Sequence, residues 1–255
     1  VGMNVNAGNS NLVNVSGANS LLDLGNGNVS IGKTGRAGNQ LTISQGGTAD
    51  NIGTLMVCPN NSIALPGGTL GVKNWSFTNQ FTVGDGFQAA TLKGLGGTLT
   101  FKYGLIISSN AILSGSGGIQ ATTTVHGAVS PGGPENIGAL TNSGDLALTA
   151  GSLSRIELSA DSSDTLAVSG TLTLGGTLKP VVVGAPPSAE AGFSIMTGST
   201  VSGAFANAAD GMRISAYSND LTTVLGTFRV GISGTSVTLN DFAAGAVHAA
   251  RIVVW

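Results

Sequence analysis

The chain has 255 residues, a formal net charge of −2, and only 9% charged and 5% aromatic residues. With 41% hydrophobic residues it is too apolar to be disordered, and 10 Lys and Arg against 12 Asp and Glu are too few for a basic nucleic-acid surface. Glycine does not recur at every third position as collagen requires, and no apolar run approaches the roughly 18 residues of a membrane helix.

In chain order, one phrase recurs: a short β-rich run followed by Gly-Gly-Thr. It occurs as Leu41 to Thr48, Ser62 to Thr69, Lys93 to Thr98 and Leu172 to Thr177, with first glycines at Gly46, Gly67, Gly96 and Gly175. The first step, 21 residues, suits one coil of a β-solenoid, and the longer steps suit coils with loop insertions. Between these marks the runs alternate with period two, as in Leu41-Thr-Ile43, Leu70-Gly-Val72, Leu99-Thr-Phe101, Leu146-Ala-Leu148 and Val237-Thr-Leu239. Each run puts two apolar side chains on one face. Gly, Asn, Asp and Ser bound the runs, and these residues accept the positive φ of tight corners. The one weak helix candidate, Ala243 to Ala250, is interrupted by Gly245. The pattern predicts an all-β chain, a parallel β-helix of about 12 irregular coils, forming a rod on the order of 60 Å with two open ends. A single solenoid domain is expected over 1–242, repeat-rich over 1–125, with a tail or terminal strand over 243–255.

Residues 12 to 57 resemble the autotransporter-associated β-strand repeats of bacterial outer-surface proteins. The matching phrases are Val15-Ser-Gly-Ala-Asn-Ser-Leu-Leu22, Val29-Ser-Ile-Gly32 and Gly38-Asn-Gln-Leu-Thr-Ile-Ser-Gln-Gly-Gly47. Residues 128 to 205 resemble the downstream part of such passengers, through Val129-Ser-Pro-Gly-Gly133, Asp164-Thr-Leu-Ala-Val-Ser-Gly170 and Ala191-Gly-Phe-Ser-Ile-Met-Thr197, and the tail Val237 to Phe242 resembles their last strand. The resemblance implies a secreted, right-handed parallel β-helix at or beyond the bacterial surface. No translocating barrel or sorting tail follows Phe242 here, so direct membrane anchoring is not expected. Residue 1 is Val rather than Met, which fits a processed chain.

Motifs of chemistry are sparse. Gly27 to Thr34 matches the phosphate-loop spacing, but Val29-Ser-Ile31 inside it reads as a strand and Gly35 to Asn39 cannot start a helix, so a solvated corner is expected. Glu157, Asp161 and Asp164 are the closest set of carboxylates, and Asp161-Ser-Ser-Asp164 reads as a turn between strands rather than a glycan-cleaving or Ca²⁺ site. His126 and His248 lie far apart in sequence and make no metal pair. Cys58 can form no internal disulfide and reads as a small buried apolar residue, or else as an intermolecular bridge. Trp75, Phe77, Phe81, Phe87, Phe101 and Tyr103 form either a core stack in a wider middle section or a sugar-stacking face. Thr98/Thr100 and Thr171/Thr173 are scattered pairs of the kind that line ice-binding faces.

Arg251-Ile252-Val253-Val254-Trp255 is a strong strand signal. It pairs within its own domain, adds to the next subunit, or is a processing remnant. The subunit interface expected from it comprises Arg251, Ile252, Val253, Val254 and Trp255 together with Val1, Met3 and Val5. The sequence thus points to a secreted, non-catalytic structural subunit without cofactor or metal, polymerising head to tail with copies of itself. A monomeric adhesin stalk that binds glycans is the alternative, and a polysaccharide-active enzyme a more distant one. Neither a nucleic-acid partner nor a transmembrane segment is expected.

Overall fold

The computed structural model describes residues 3–5, 8–33 and 35–245. These residues are all-β, without helix, and wind into a β-solenoid of about 7 turns. The first coil is β1 (Met3–Val5), β2 (Leu12–Ser16) and β3 (Leu21–Asp23); β4 (Val29–Ile31) and β5 (Gln40–Ser44) begin the coils stacked upon it. Long strands β6 (Thr48–Val57), β8 (Gly68–Phe77), β10 (Ala90–Phe101) and β12 (Ala111–Gln120) then alternate with short β7 (Ser62–Ala64), β9 (Phe81–Val83), β11 (Leu105–Ile107) and β13 (Thr123–Val125). Further along, each coil is three separate strands: β14 (Ala128–Pro131), β15 (Ala139–Asn142), β16 (Leu146–Leu148), β17 (Leu153–Leu158), β18 (Thr165–Val168), β19 (Thr171–Leu174), β20 (Thr177–Val182), β21 (Gly192–Thr197) and β22 (Thr200–Gly203). The chain closes with β23 (Arg213–Tyr217), β24 (Val224–Ile232) and β25 (Ser236–Ala244).

The strands define three faces. The first holds β3, the leading halves of the long strands, β14, β17 and β20; the second holds β1, β4, the trailing halves, β15, β18 and β21. Each long strand turns the corner between these faces within itself. The third face holds β2, β5 and β7, then β9, β11, β13, β16, β19 and β22. The pairings from coil to coil are parallel, and on either side of the register shifts inside the long strands like positions stack. On the first face Ala49, Leu70, Leu92, Leu113 and Val129 form one buried inward row. On the third, Val83, Ile107, Val125 and Leu148 form another. Each buried aliphatic of this kind contributes roughly 1.5–3 kcal/mol.

The 21-residue step is real: Thr48 lies beside Thr69. Gly47 and Gly68 therefore stack at the corner that leads into the first face, where Gly68 has φ +106° and a Cβ would collide with Gly47 O. Gly176 of the last phrase occupies the same corner further along the solenoid, leading into β20 and lying over Ser152 O. The phrase at Gly96 does not. It sits inside β10 at the turn from first to second face, where the register shifts.

Four further features differ from expectation. The coils number about 7 rather than 12, because bonds across coil joints span 26 residues at Asp145–Thr171 and 29 at Leu178–Asn207, and because the last strands do not wind. β24 and β25 are antiparallel, β25 also pairs with β21, and Val201 of β22 donates to Gly234 O in the β24–β25 turn. The first and second faces are thus closed over at the C-terminal end and β22 of the third is partly covered, whereas no strand among the described residues lies beyond β2 or β3 at the N-terminal end. β25 also runs through Ala244, past the boundary expected at 242. Cys58 is only half-buried, since it lies in the turn after β6.

The corner before the third face carries an amide ladder. Asn39 Oδ1 accepts from Asn11 N and Nδ2 at 3.1 and 2.7 Å, and Asn61 Oδ1 accepts from Asn39 N and Nδ2 at 2.9 and 2.8 Å. Asn39 is fully buried, so its loss strands donors and acceptors on both neighbouring coils. Replacing it, Asn39→Ala, should lower stability by about 2 kcal/mol, read from the urea midpoint by circular dichroism.

Candidate functional site

Two places carry polar groups without a hydrogen-bond partner among the described residues: the N-terminal edge, and a loop cluster at the corner between the first and second faces. At the edge, the ladder fixes which groups are free. Gln40 N donates to Asn11 O and Gly17 N to Ser44 O, so odd-numbered residues of β2 face β5. By the alternation of a parallel strand, the backbone groups of Leu12, Asn14 and Ser16 face outward, away from the solenoid. In β3, Thr48 N donates to Ser20 O and Leu24 N to Asp50 O, which leaves Leu21 and Asp23 on the free side. The side chains of Leu12 and Leu21 are 62% and 65% exposed.

Of the expected interface residues, Met3 and Val5 lie in β1 on this edge, and their backbones bond inward to β4 through Asn28 O and Gly32 N. Val1, Arg251, Ile252, Val253, Val254 and Trp255 lie outside the described residues, as does His248. Sequence reasoning missed Leu12 and Leu21. Comparison between coils reveals them, because their register partners are Gln40 and Thr48, which point outward.

At the loop corner the expected carboxylates separate. Asp161 is exposed in the turn between β17 and β18, as expected, but Glu157 and Asp164 are fully buried. Asp164 accepts from Gly138 N and Glu157 N, both at 2.8 Å. Glu157 is ion-paired with Arg155. Arg155 Nη2 donates to Asn219 Oδ1 at 2.8 Å, and Asn219 Nδ2 donates to Glu135 Oε1 at 2.6 Å. Glu135 and Gly138 belong to the same loop, 132–138, so the contacts close a ring that pins this loop at two points. Asp220, beside Asn219, accepts from Ser218 Oγ, Thr223 N and Thr222 N, which hold its carboxyl far below the usual carboxylate range.

Burial, and then the hydrogen bond shared with Glu157, push the Asp164 carboxyl up to about 9. Asp164 is therefore protonated at neutral pH. Glu157 Oε2 is buried with no hydrogen-bond partner among the described residues. Enclosed in this way, the pair is closed to any substrate.

The other motifs resolve simply. Val29–Ile31 of the phosphate-loop spacing is β4, and Lys33 is exposed beyond it. His126 is exposed. Trp75 packs on Phe77, Phe81 and Phe101 with ring centroids 5.3, 4.7 and 5.1 Å away, which is the core stack expected. Beside it the third-face ladder narrows to one bridge, Leu65 with Val83. Phe87 and Tyr103 lie outside the stack, 87% and 63% exposed. Thr98 and Thr100 are on the second face and Thr171 and Thr173 on the third, so they form no common array. Among the described residues no group of three His, Cys, Asp or Glu could hold a metal, and no helix is long and apolar enough to cross a membrane. No family model matches the chain, and no curated protein or solved structure matches it.

Folded Asp164 keeps its proton up to about pH 9, whereas the unfolded chain releases it near 3.8. Between these values the folded state holds the extra proton, so stability falls as pH rises. Asp164→Asn should flatten that slope while lowering stability overall. Urea midpoints at pH 5, 7 and 9 measure both effects.

Proposed function

We propose that the protein is a non-catalytic structural subunit of an extracellular assembly, and that it joins copies of itself by strand addition at the N-terminal edge. The observation that carries this is the inequality of the two ends. At one end antiparallel strands cap the first and second faces; at the other, β2 and β3 carry backbone groups with no partner among the described residues, beside exposed Leu12 and Leu21. An uncovered edge of this kind is a template for another strand. The occupant is segment 246–255 of a second copy, whose Arg251 to Trp255 matches β2 in length at 5 residues.

Reach favours a neighbour over the chain's own edge. Nine rungs of the second-face ladder separate β1 from β25, a distance of about 43 Å at the usual strand spacing. Ten extended residues span at most about 35 Å. A contact between unlike ends does not close on itself and therefore propagates as a fibre. Secretion rests on the low-charge, Gly- and Asn-rich composition and on the likeness to autotransporter passengers. The enclosure of Glu157 and Asp164 supports the non-catalytic reading.

Asn14→Pro removes an N–H that faces no strand among the described residues, so the fold should tolerate it. Light scattering should find polymers for the intact chain, and monomers of unchanged circular dichroism for Asn14→Pro and for a chain lacking 246–255. Polymers that persist in both variants would overturn strand addition. An intact chain that stays monomeric at high concentration would instead support the adhesin stalk.

A further inference from the structure

We propose that a cleft on the first face binds one neutral pyranose unit of a glycan. Its floor is the outward side of β8, β10 and β12, and its wall is loop 132–138. The cleft measures about 320 Å³ and is lined by Thr69, Thr91, Lys93, Ser114, Pro134 and Asn136 with the Gly132–Gly133 backbone. That volume lies at the lower end for small-molecule sites and suits a single ring.

The chemistry of the lining selects the ligand. Thr69 and Thr91 are in register on adjacent coils, so their hydroxyls repeat at about 4.8 Å, a spacing that alternate hydroxyls of a sugar ring can bridge. Lys93 Nζ lies 3.2 Å from Asp50 Oδ2, so the cation and its neighbouring carboxylate cancel. An anionic ligand drawn to Lys93 would meet Asp50 as well. A sugar hydroxyl, which both donates and accepts, matches such a pair together with the threonines. Ser114 is only 3% exposed, yet it lines the cleft. In register with it on the next coil, Ser130 Oγ is buried with no partner among the described residues. Pro134 gives the wall an apolar patch for the C–H side of the ring.

The wall is rigid before any ligand arrives. Gly132 N donates to Gly115 O at 2.6 Å, Asn136 N to Gly133 O at 3.2 Å, and Asn136 Nδ2 to Pro134 O at 3.0 Å. The ring through Glu135, Asn219, Arg155, Glu157, Asp164 and Gly138 fixes the same loop from behind. Binding then spends little free energy on ordering the site. This assignment does not depend on self-assembly, because the cleft lies on the side of the rod and not at its end.

Saturation-transfer NMR on the full chain tests it, with the methyl glycosides of glucose, mannose and galactose as neutral probes and galacturonate as the anionic one. At least one methyl glycoside should bind, and about tenfold more weakly to Lys93→Met and to Thr91→Val. Thr173→Val, on the third face, should bind as the parent does, and melting curves establish that each variant is folded. Absence of transfer to every methyl glycoside, equal transfer in both cleft variants, or binding of galacturonate alone would overturn the assignment.

Discussion

The structure depends on one constraint: each coil must place its backbone one rung above the last, in register, with aliphatic side chains over aliphatic side chains. Leu70, Leu92 and Leu113 satisfy it on the first face, and Ile107 and Val125 on the third. Coil length is otherwise free. Bonds across coil joints span 21 residues at Gly53–Asn74 and 28 at Asn11–Asn39. The surplus residues must leave where the ladder is interrupted, and in the C-terminal half that is the corner between the first and second faces. Loops from successive coils therefore emerge one above another. Stacking of this kind lets Arg155 meet Asn219 across 64 residues and Asn219 meet Glu135 across 84.

That stacking also explains why two buried acids are tolerable. An isolated carboxylate out of water is strongly unfavourable, and two adjacent ones more so. Here Arg155 neutralises one and a proton neutralises the other, while backbone N–H groups of Gly138 and Glu157 take the remaining lone pairs. The polar ring is linked from Glu135 round to Gly138, so it holds the loop at two points. The same logic acts in the shaft, where buried Asn142 accepts from Thr123 Oγ1 at 2.8 Å and donates to the carbonyls of Ala121 and Gly144.

The strand alternation and the corner glycines made the architecture legible, because both are local: Leu41-Thr-Ile43 is β5 and Gly47 marks its corner. Coil number was not, since it depends on loop lengths that no local pattern sets. Gly96 shows the limit, as an identical Gly-Gly-Thr serves a different corner within a long strand. Asp164 was misread as a turn residue only, because its partners Glu157 and Gly138 are brought to it by separate strands. The cleft was invisible for the same reason: Thr69, Lys93 and Asn136 share no sequence pattern and meet only once the coils stack.

The two ends of the solenoid differ in chemistry as well as in topology. On the capping strands, Arg213 and Arg229 stand opposite one another, and Asp241 joins both: it is ion-paired with Arg213 and lies 3.6 Å from Arg229. Charges of this kind on the outermost strands discourage further pairing. The free edge of β2 carries Leu12, Asn14 and Ser16, without a charge, and β3 adds Leu21 beside the single Asp23. Leu12 and Leu21 occupy outward positions where the next coil has Gln40 and Thr48, so the internal core does not require them. Each would gain roughly 1.5–3 kcal/mol from complete burial. The second coil bears polar residues at these positions; two exposed leucines on edge strands whose outer backbone groups have no partner among the described residues fit the strand addition proposed above.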